Sequence, residues 1–270
     1  LATQLRLATL EMIYKAQSGH TGNALSCIEI LTALYFGSFE GRPIVRLDPQ
    51  KPLWEGQDYV VLSYPSAAPA LYACLAERGF FSHEECTTFR QLHSQLQGFP
   101  FRKTPGVVLS AGSFGHGFAG AVGLALAVRA DRATNRLYVV FFYTEMQTGL
   151  STEAALYAAE QKLDHLCVIL NHNTLQKDGG FYAGLFEGFG WRTFRVADGH
   201  NIEELTYGLA HARRNQRAPT VIIADTVLGK GVPFMEAKFS YANVPLSAQE
   251  MELARALLQK IIAPPLEFSA

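Results

Sequence analysis

Charge is what this sequence has least of. Asp, Glu, Lys and Arg make up 17% of its 270 residues, apolar residues 49%, and the formal net charge is −1. No basic cluster is present, so no phosphate-neutralising face is predicted and nucleic acid is excluded as an expected partner. Long apolar runs are also missing. The longest, at 139–142 and 221–224, are strand-sized, whereas a membrane helix needs roughly 20 apolar residues in succession. The four cysteines, Cys27, Cys74, Cys86 and Cys167, lack the C-x-x-C spacing of zinc or redox sites. They are expected to be reduced core residues of a cytoplasmic protein. No signal peptide is read at the first residues. A chain so poor in charge is expected to bury apolar surface in two ways, in a large core and in a subunit interface.

What is present is a regular alternation. Leu5, Ala8, Leu10, Met12 and Ile13 form a helical stripe over 1–15, with Gly19 just beyond it. Ile28, Leu31, Leu34 and Tyr35 place a second helix over 25–36. Further helices are predicted over 67–76, with Gly79 at the end, over 112–130 after a glycine-rich turn, and over 152–161. Continuous apolar stretches at 59–62, 137–142, 166–171 and 221–225 predict strands buried on both faces. The pattern predicts an α/β fold: a doubly wound, mostly parallel sheet with helices on both faces. Residues 139–142 and 168–170 should be adjacent central strands. One domain is expected over 1–262, and Pro264 and Pro265 are expected to open a tail over 263–270. Ligands of such sheets sit beyond the carboxyl ends of the strands. Function is therefore sought after Leu62, Phe142, Asn171 and Asp225.

A series of recognisable stretches runs along the chain. They are Ser18-Gly19-His20-Thr21-Gly22, Ala68-Pro69-Ala70-Leu71-Tyr72-Ala73, Leu96-Gln97-Gly98 and Lys103-Thr104-Pro105-Gly106-Val107, followed by Gly112-Ser113-Phe114-Gly115-His116-Gly117. Lys162-Leu163-Asp164-His165-Leu166, Asn173-Thr174-Leu175-Gln176-Lys177-Asp178-Gly179 and Asp225-Thr226-Val227-Leu228-Gly229-Lys230-Gly231-Val232 complete the series. In order and over nearly the whole chain, they resemble transketolases, especially the bacterial two-chain kind. The resemblance implies the N-terminal, diphosphate-side half of a thiamine diphosphate enzyme. It implies thiamine diphosphate and magnesium as cofactors. The partner would be a pyrimidine-side C-terminal subunit carrying the cofactor-activating glutamate, in a dimer or heterotetramer.

The family takes oxygen ligands for its metal, as a hard cation requires, from the Asp of a Gly-Asp-Gly turn and from an Asn and a carbonyl after the next strand. Matched onto this sequence, the turn falls on Phe142-Tyr143-Thr144, so Tyr143 stands where the carboxylate would be. Asn173 and the Leu175 carbonyl match the remaining metal ligands. Gly112, Ser113, Phe114, Gly115, Asn173 and Leu175 are the implied cofactor-binding positions, and His20 and His116 the implied catalytic ones. Other departures accumulate. Ser66, Phe99 and Tyr241 stand where pocket histidines are expected, Thr148 where an acid would face the partner's glutamate, and Leu228 where a lysine is expected. The resemblance therefore implies that cofactor binding is weak or absent. Glu145, beside the turn, is the candidate replacement acid, although the resemblance matches it to a non-ligand.

Each of these residues also has a plainer reading. His20 either faces the pocket and donates to a substrate hydroxyl, or packs in a turn between helices. His116 follows a glycine at a helix start, where backbone amides hold an anion; a turn-forming role alone is the simpler account. Asn173 is either a metal ligand or the centre of an Asx turn. His172 and His200 are placed in loops as surface or structural residues. Tyr64, Phe99, Phe142, Tyr143 and Tyr241 read as aromatic filling that closes the pocket, or as the wall of a reshaped apolar one. Three functions compete: a non-catalytic component supporting or regulating a partner chain, an active two-carbon ketol or acyl transferase component, and a binding module. The small residues of the helix over 112–130 are expected to meet another chain, or to let the helix lie close to the sheet.

Overall fold

The computed structural model describes residues 1–52, 54–175 and 179–262, so Gln176, Lys177, Asp178 and the expected tail lie outside the described residues. The first predicted helix is α1 (Ala2–Ala16), closed by Gln17 in the left-handed region. The predicted helix over 25–36 is two helices, α2 (Thr21–Leu25) and α3 (Ile28–Phe36). The break has a local cause. The Ser26 hydroxyl donates to the Asn23 carbonyl at 2.8 Å and the Cys27 thiol to the Ala24 carbonyl at 3.4 Å. Such side-chain bonds compete with the helical ladder. A short hairpin follows, β1 (Ser38–Phe39) with β2 (Arg42–Pro43).

The large sheet begins with β3 (Tyr59–Leu62), followed by α4 (Ala68–Glu77), α5 (His116–Ala130), β4 (Leu137–Phe142), α6 (Gly149–Glu160) and β5 (Leu166–Asn173). Then come α7 (Gly179–Phe189), β6 (Arg192–Val196), α8 (Ile202–Arg214), β7 (Thr220–Thr226) and α9 (Ala248–Ile262). The strand order is β3-β4-β5-β7-β6, and every neighbouring pair is parallel. As expected, 139–142 and 168–170 pair in the middle of the sheet. Every residue of β4, β5 and β7 is buried, whereas β6 at one edge is partly exposed. Inter-helix packing links α1, α3, α4, α8 and α9 in one group and α5, α6 and α7 in another. A sheet covered on both faces requires this burial, and it explains why β4, β5 and β7 tolerate no polar alternation.

The four cysteines are buried and free, and among the described residues no helix is long and apolar enough to cross a membrane. The small residues of α5 divide by direction. A Cβ on Gly117 would come within 2.5 Å of the Ser63 Cα, so this glycine lets the helix start lie against the end of β3. Gly123 has nothing within 4 Å of its Cβ position and faces outward.

Candidate functional site

The carboxyl ends of β3, β4, β5 and β7 converge on one region, and most of the candidate site residues lie there. The chain leaves β4 at Phe142 and enters a 3-10 turn, Tyr143–Gln147. Phe142 and Tyr143 are buried, at 2% and 7% exposure. The Phe142 ring stacks on Tyr64, from the turn after β3, with centroids 4.0 Å apart and planes 19° from parallel. Phe114 also stacks on Tyr64, at 5.7 Å, and Tyr143 meets Phe142 at 5.9 Å. Tyr143 continues the cluster edge-on to His172 and Tyr182, at 6.1 and 6.4 Å. Burial raises the Tyr143 phenol above its ordinary pKa, with Tyr64 and Tyr182 adding to the shift. It is therefore a neutral phenol near pH 7, and no negative charge stands at this position.

Two residues expected among the filling do not join the rings around Tyr64. Phe99 is 42% exposed and its ring meets Phe101 edge-on at 6.4 Å. The Tyr241 hydroxyl donates to Glu250 at 2.7 Å, and its ring packs against Phe234 rather than on Tyr64. The rings that do meet are Tyr64 with Phe142 and Phe114, and Phe142 with Tyr143.

Glu145 is fully buried, and it does not point into the site. Its Oε1 accepts from the Ser63 hydroxyl at 2.6 Å and from the Gly115 amide at 3.0 Å; its Oε2 accepts from the Phe142 amide at 3.0 Å. Ser63 Oγ in turn accepts from the Phe118 amide at 3.1 Å. One carboxylate thus ties the ends of β3 and β4 to the start of α5. Burial raises its pKa, and the three donors only partly oppose this. The idea of Glu145 as a replacement metal ligand is not supported: its oxygens are already occupied by the protein's own donors.

The same carboxylate occupies the Gly115 amide, which has φ +82° and caps α5. Gly112, Ser113, Phe114 and His116 are exposed around it, and the His116 amide donates to the Ser113 carbonyl at 3.2 Å, closing the turn. Thr148 caps α6: its hydroxyl donates to the Glu145 carbonyl at 2.8 Å and accepts from the Ser151 amide at 3.4 Å.

At the end of β5, Asn173 is buried and its Oδ1 accepts from the Leu175 amide at 3.1 Å, an Asx turn. Leu175 itself is 41% exposed. His172 is a strand residue, correcting its placement in a loop, and is buried at 2% exposure. Its Nδ1 lies 2.7 Å from Asp225 Oδ1, while Arg195 donates to Asp225 Oδ2 from Nε at 3.0 Å and from Nη2 at 2.8 Å. His200 is structural, as expected, but not a surface group. Its Nδ1 contacts Glu29 at 2.9 Å and its Nε2 accepts from the Val227 amide at 2.8 Å. Arg6 also binds Glu29. Burial pushes the Glu29 carboxyl up, but His200 and Arg6 outweigh this and hold it below its ordinary value. Among the described residues, no group of three or more His, Cys, Asp or Glu side chains is arranged to hold a metal ion.

The polar side of the site runs from His20 to Tyr64 and was not legible in the sequence. His20 Nδ1 lies 2.9 Å from Asn243 Oδ1, and the Asn23 amide nitrogen donates to the same oxygen at 2.9 Å and to the Tyr64 hydroxyl oxygen at 3.1 Å. Asn23 and Asn243 belong to no stretch that pointed to chemistry, and they meet from 220 residues apart.

Residues 1–263 match the family described as transketolase, thiamine diphosphate binding domain. The chain is 36% identical over 268 residues to SqwG, a component of the 6-deoxy-6-sulfo-D-fructose transketolase of Clostridium sp. (strain MSTE9), covering 96% of this chain and 95% of that one. It is 33% identical over 266 residues to one of the subunits of the apulose-4-phosphate transketolase of Phocaeicola vulgatus, covering 95% and 92%. Among solved structures, the transketolase of Campylobacter jejuni superposes with a TM-score of 0.85 at 29% identity, covering 96% of this chain and 42% of that one. A Pichia stipitis transketolase gives 0.86 at 23% identity, a likeness of fold alone, with 40% of that chain covered. The chain thus spans about two-fifths of the solved transketolases it matches. With the family matched over nearly its full length and relatives above 30% identity aligned almost end to end, this chain belongs to the transketolase family as its thiamine diphosphate-binding domain.

Proposed function

We propose that this chain is the N-terminal, diphosphate-side component of a two-chain transketolase-like assembly. In this reading it does not hold thiamine diphosphate and magnesium in the family's way, and it supports or regulates a partner chain instead of supplying the metal site. The observation that carries the reading is the Tyr64–Phe142 stack at 4.0 Å, with Tyr143 buried beside it. Bulk and a neutral phenol stand where a diphosphate needs glycine backbone and a metal needs a carboxylate. The residues present do not fit the group: the Gly115 amide is taken by Glu145, and Asn173 Oδ1 is turned to the Leu175 amide. Each missing charge-assisted hydrogen bond costs about 1.5–3 kcal/mol. Three such deficits, even partly offset, amount to several factors of ten in affinity.

Two observations support a partner. SqwG and the Phocaeicola vulgatus relative are described as transketolase subunits. Around the strand ends, Phe99, Phe114, Leu175 and Phe181 are 41–53% exposed, apolar surface that a pyrimidine-side chain would cover. The second reading, an active two-carbon ketol or acyl transferase component with altered cofactor binding, draws on those relatives' near-complete alignment. Calorimetric titration of the purified chain, alone and with its partner, against thiamine diphosphate and magnesium separates the two. No saturable binding is expected in either state. Micromolar binding that disappears on chelation would overturn the first reading in favour of the second.

A further inference from the structure

We propose that Asn243 sets the tautomer of His20, so that in the neutral imidazole Nε2 is the hydrogen-bond acceptor. The start of α2 grips the segment that carries Asn243. The Thr21 hydroxyl donates to the Val244 carbonyl and the Asn23 amide to the Ala242 carbonyl at 3.4 Å. Gly22 lies between them with no room for a side chain, since a Cβ there would meet the Tyr241 carbonyl oxygen at 2.9 Å. Thr21 and Gly22 of the stretch around His20 are therefore a clamp, and what they deliver is the Asn243 side chain.

The direction of the network follows from the orientation of the two amides. The Asn23 side-chain nitrogen, which can only donate, faces Tyr64 Oη at 3.1 Å and the Asn243 side-chain oxygen at 2.9 Å. That oxygen can only accept, so His20 Nδ1, 2.9 Å away, carries the hydrogen. In the neutral ring the lone pair is then on Nε2. His20 is half-buried. This reverses the donor role expected for it: an Nε2 acceptor takes a hydroxyl hydrogen from a ligand and offers nothing to a phosphate or carboxylate oxygen. Tyr64 belongs both to this network and to the stack on Phe142, but the tautomer is read on the His20 ring itself and not through cofactor binding, so its test stands apart from that of the proposed function.

The test is a two-bond proton–nitrogen correlation spectrum of the full chain, with His20 assigned through H20Q. The neutral ring is expected to show a protonated Nδ1 and an unprotonated Nε2. N243L should lose this pattern, N243D should keep it because a carboxylate oxygen accepts the same N–H, and G22A should lose it by displacing the clamp. A wild-type ring protonated at Nε2, or an unchanged pattern in N243L, overturns the proposal. Cofactor binding in the calorimetric titration would remove the proposed function and leave this result standing.

Discussion

Glu145 shows how much a single buried residue can decide. Its carboxylate receives a hydroxyl and two backbone amides from three different segments, so it organises the site without reaching into it. E145Q replaces one accepting oxygen with a donor that faces other donors. We expect the variant to lose about 2 kcal/mol of stability in urea unfolding. The pH dependence has a definite sign. Burial raises the folded-state pKa above the ordinary 4.5, so the folded chain takes up this proton before the unfolded chain does. The stability of wild type relative to E145Q should therefore rise as the pH falls through the raised value, and level off below 4.5. A difference that shrinks on acidification would show that the three donors outweigh burial.

At the scale of elements, the ends of β3 and β4 are held together by packed rings. Gly117 allows α5 to approach Ser63 closely, and the Tyr64, Phe142 and Phe114 rings pack alongside. Rings that stack on each other exclude water and hold the turn after β4 in one conformation. Restoring the family's turn with the triple variant F142G/Y143D/T144G removes the central ring. This should cost about 3–5 kcal/mol of stability, as for other buried Phe truncations. The same variant should gain magnesium-dependent thiamine diphosphate binding if the remaining site is intact, measurable by calorimetry. With Phe99 exposed and Tyr241 turned to Glu250, Tyr64 is the ring left to block it. A variant that folds but gains no binding would place the obstruction there.

At the scale of the whole molecule, apolar surface remains exposed beyond what the core consumes. Leu156 and Tyr157 on α6 are 44% and 46% exposed, on the same side of the fold as the outward-facing Gly123 of α5, since these two helices pack together. The assembly reading places another chain over this side and over the strand ends. Sedimentation is expected to show a dimer of this chain or a larger species with the pyrimidine-side chain. A monomer under both conditions would remove the assembly reading while leaving the tautomer of His20 untouched.

The sequence alone determined what depends on local chemistry and on periodic pattern. The central strands were legible because burial on both faces demands uninterrupted apolar residues, and β3, β4 and β5 begin where those runs begin. That aromatic residues, Phe142 and Tyr143, follow β4 was equally legible, because it is a statement about residue type. Edge strand β6 was not, since Arg192 and Arg195 interrupt its apolar pattern, and neither was the break between α2 and α3. Only the tertiary structure decided where side chains turn. Phe99 meets Phe101 beside Gly112, Tyr241 binds Glu250, Glu145 is taken up by Ser63 and two backbone amides, His172 is buried against Asp225, and Asn243 reaches His20. Composition and spacing carry the chemistry of a group but not its direction. Direction is set by long-range packing, here the close approach at Gly22 that brings residues 241–244 onto the start of α2.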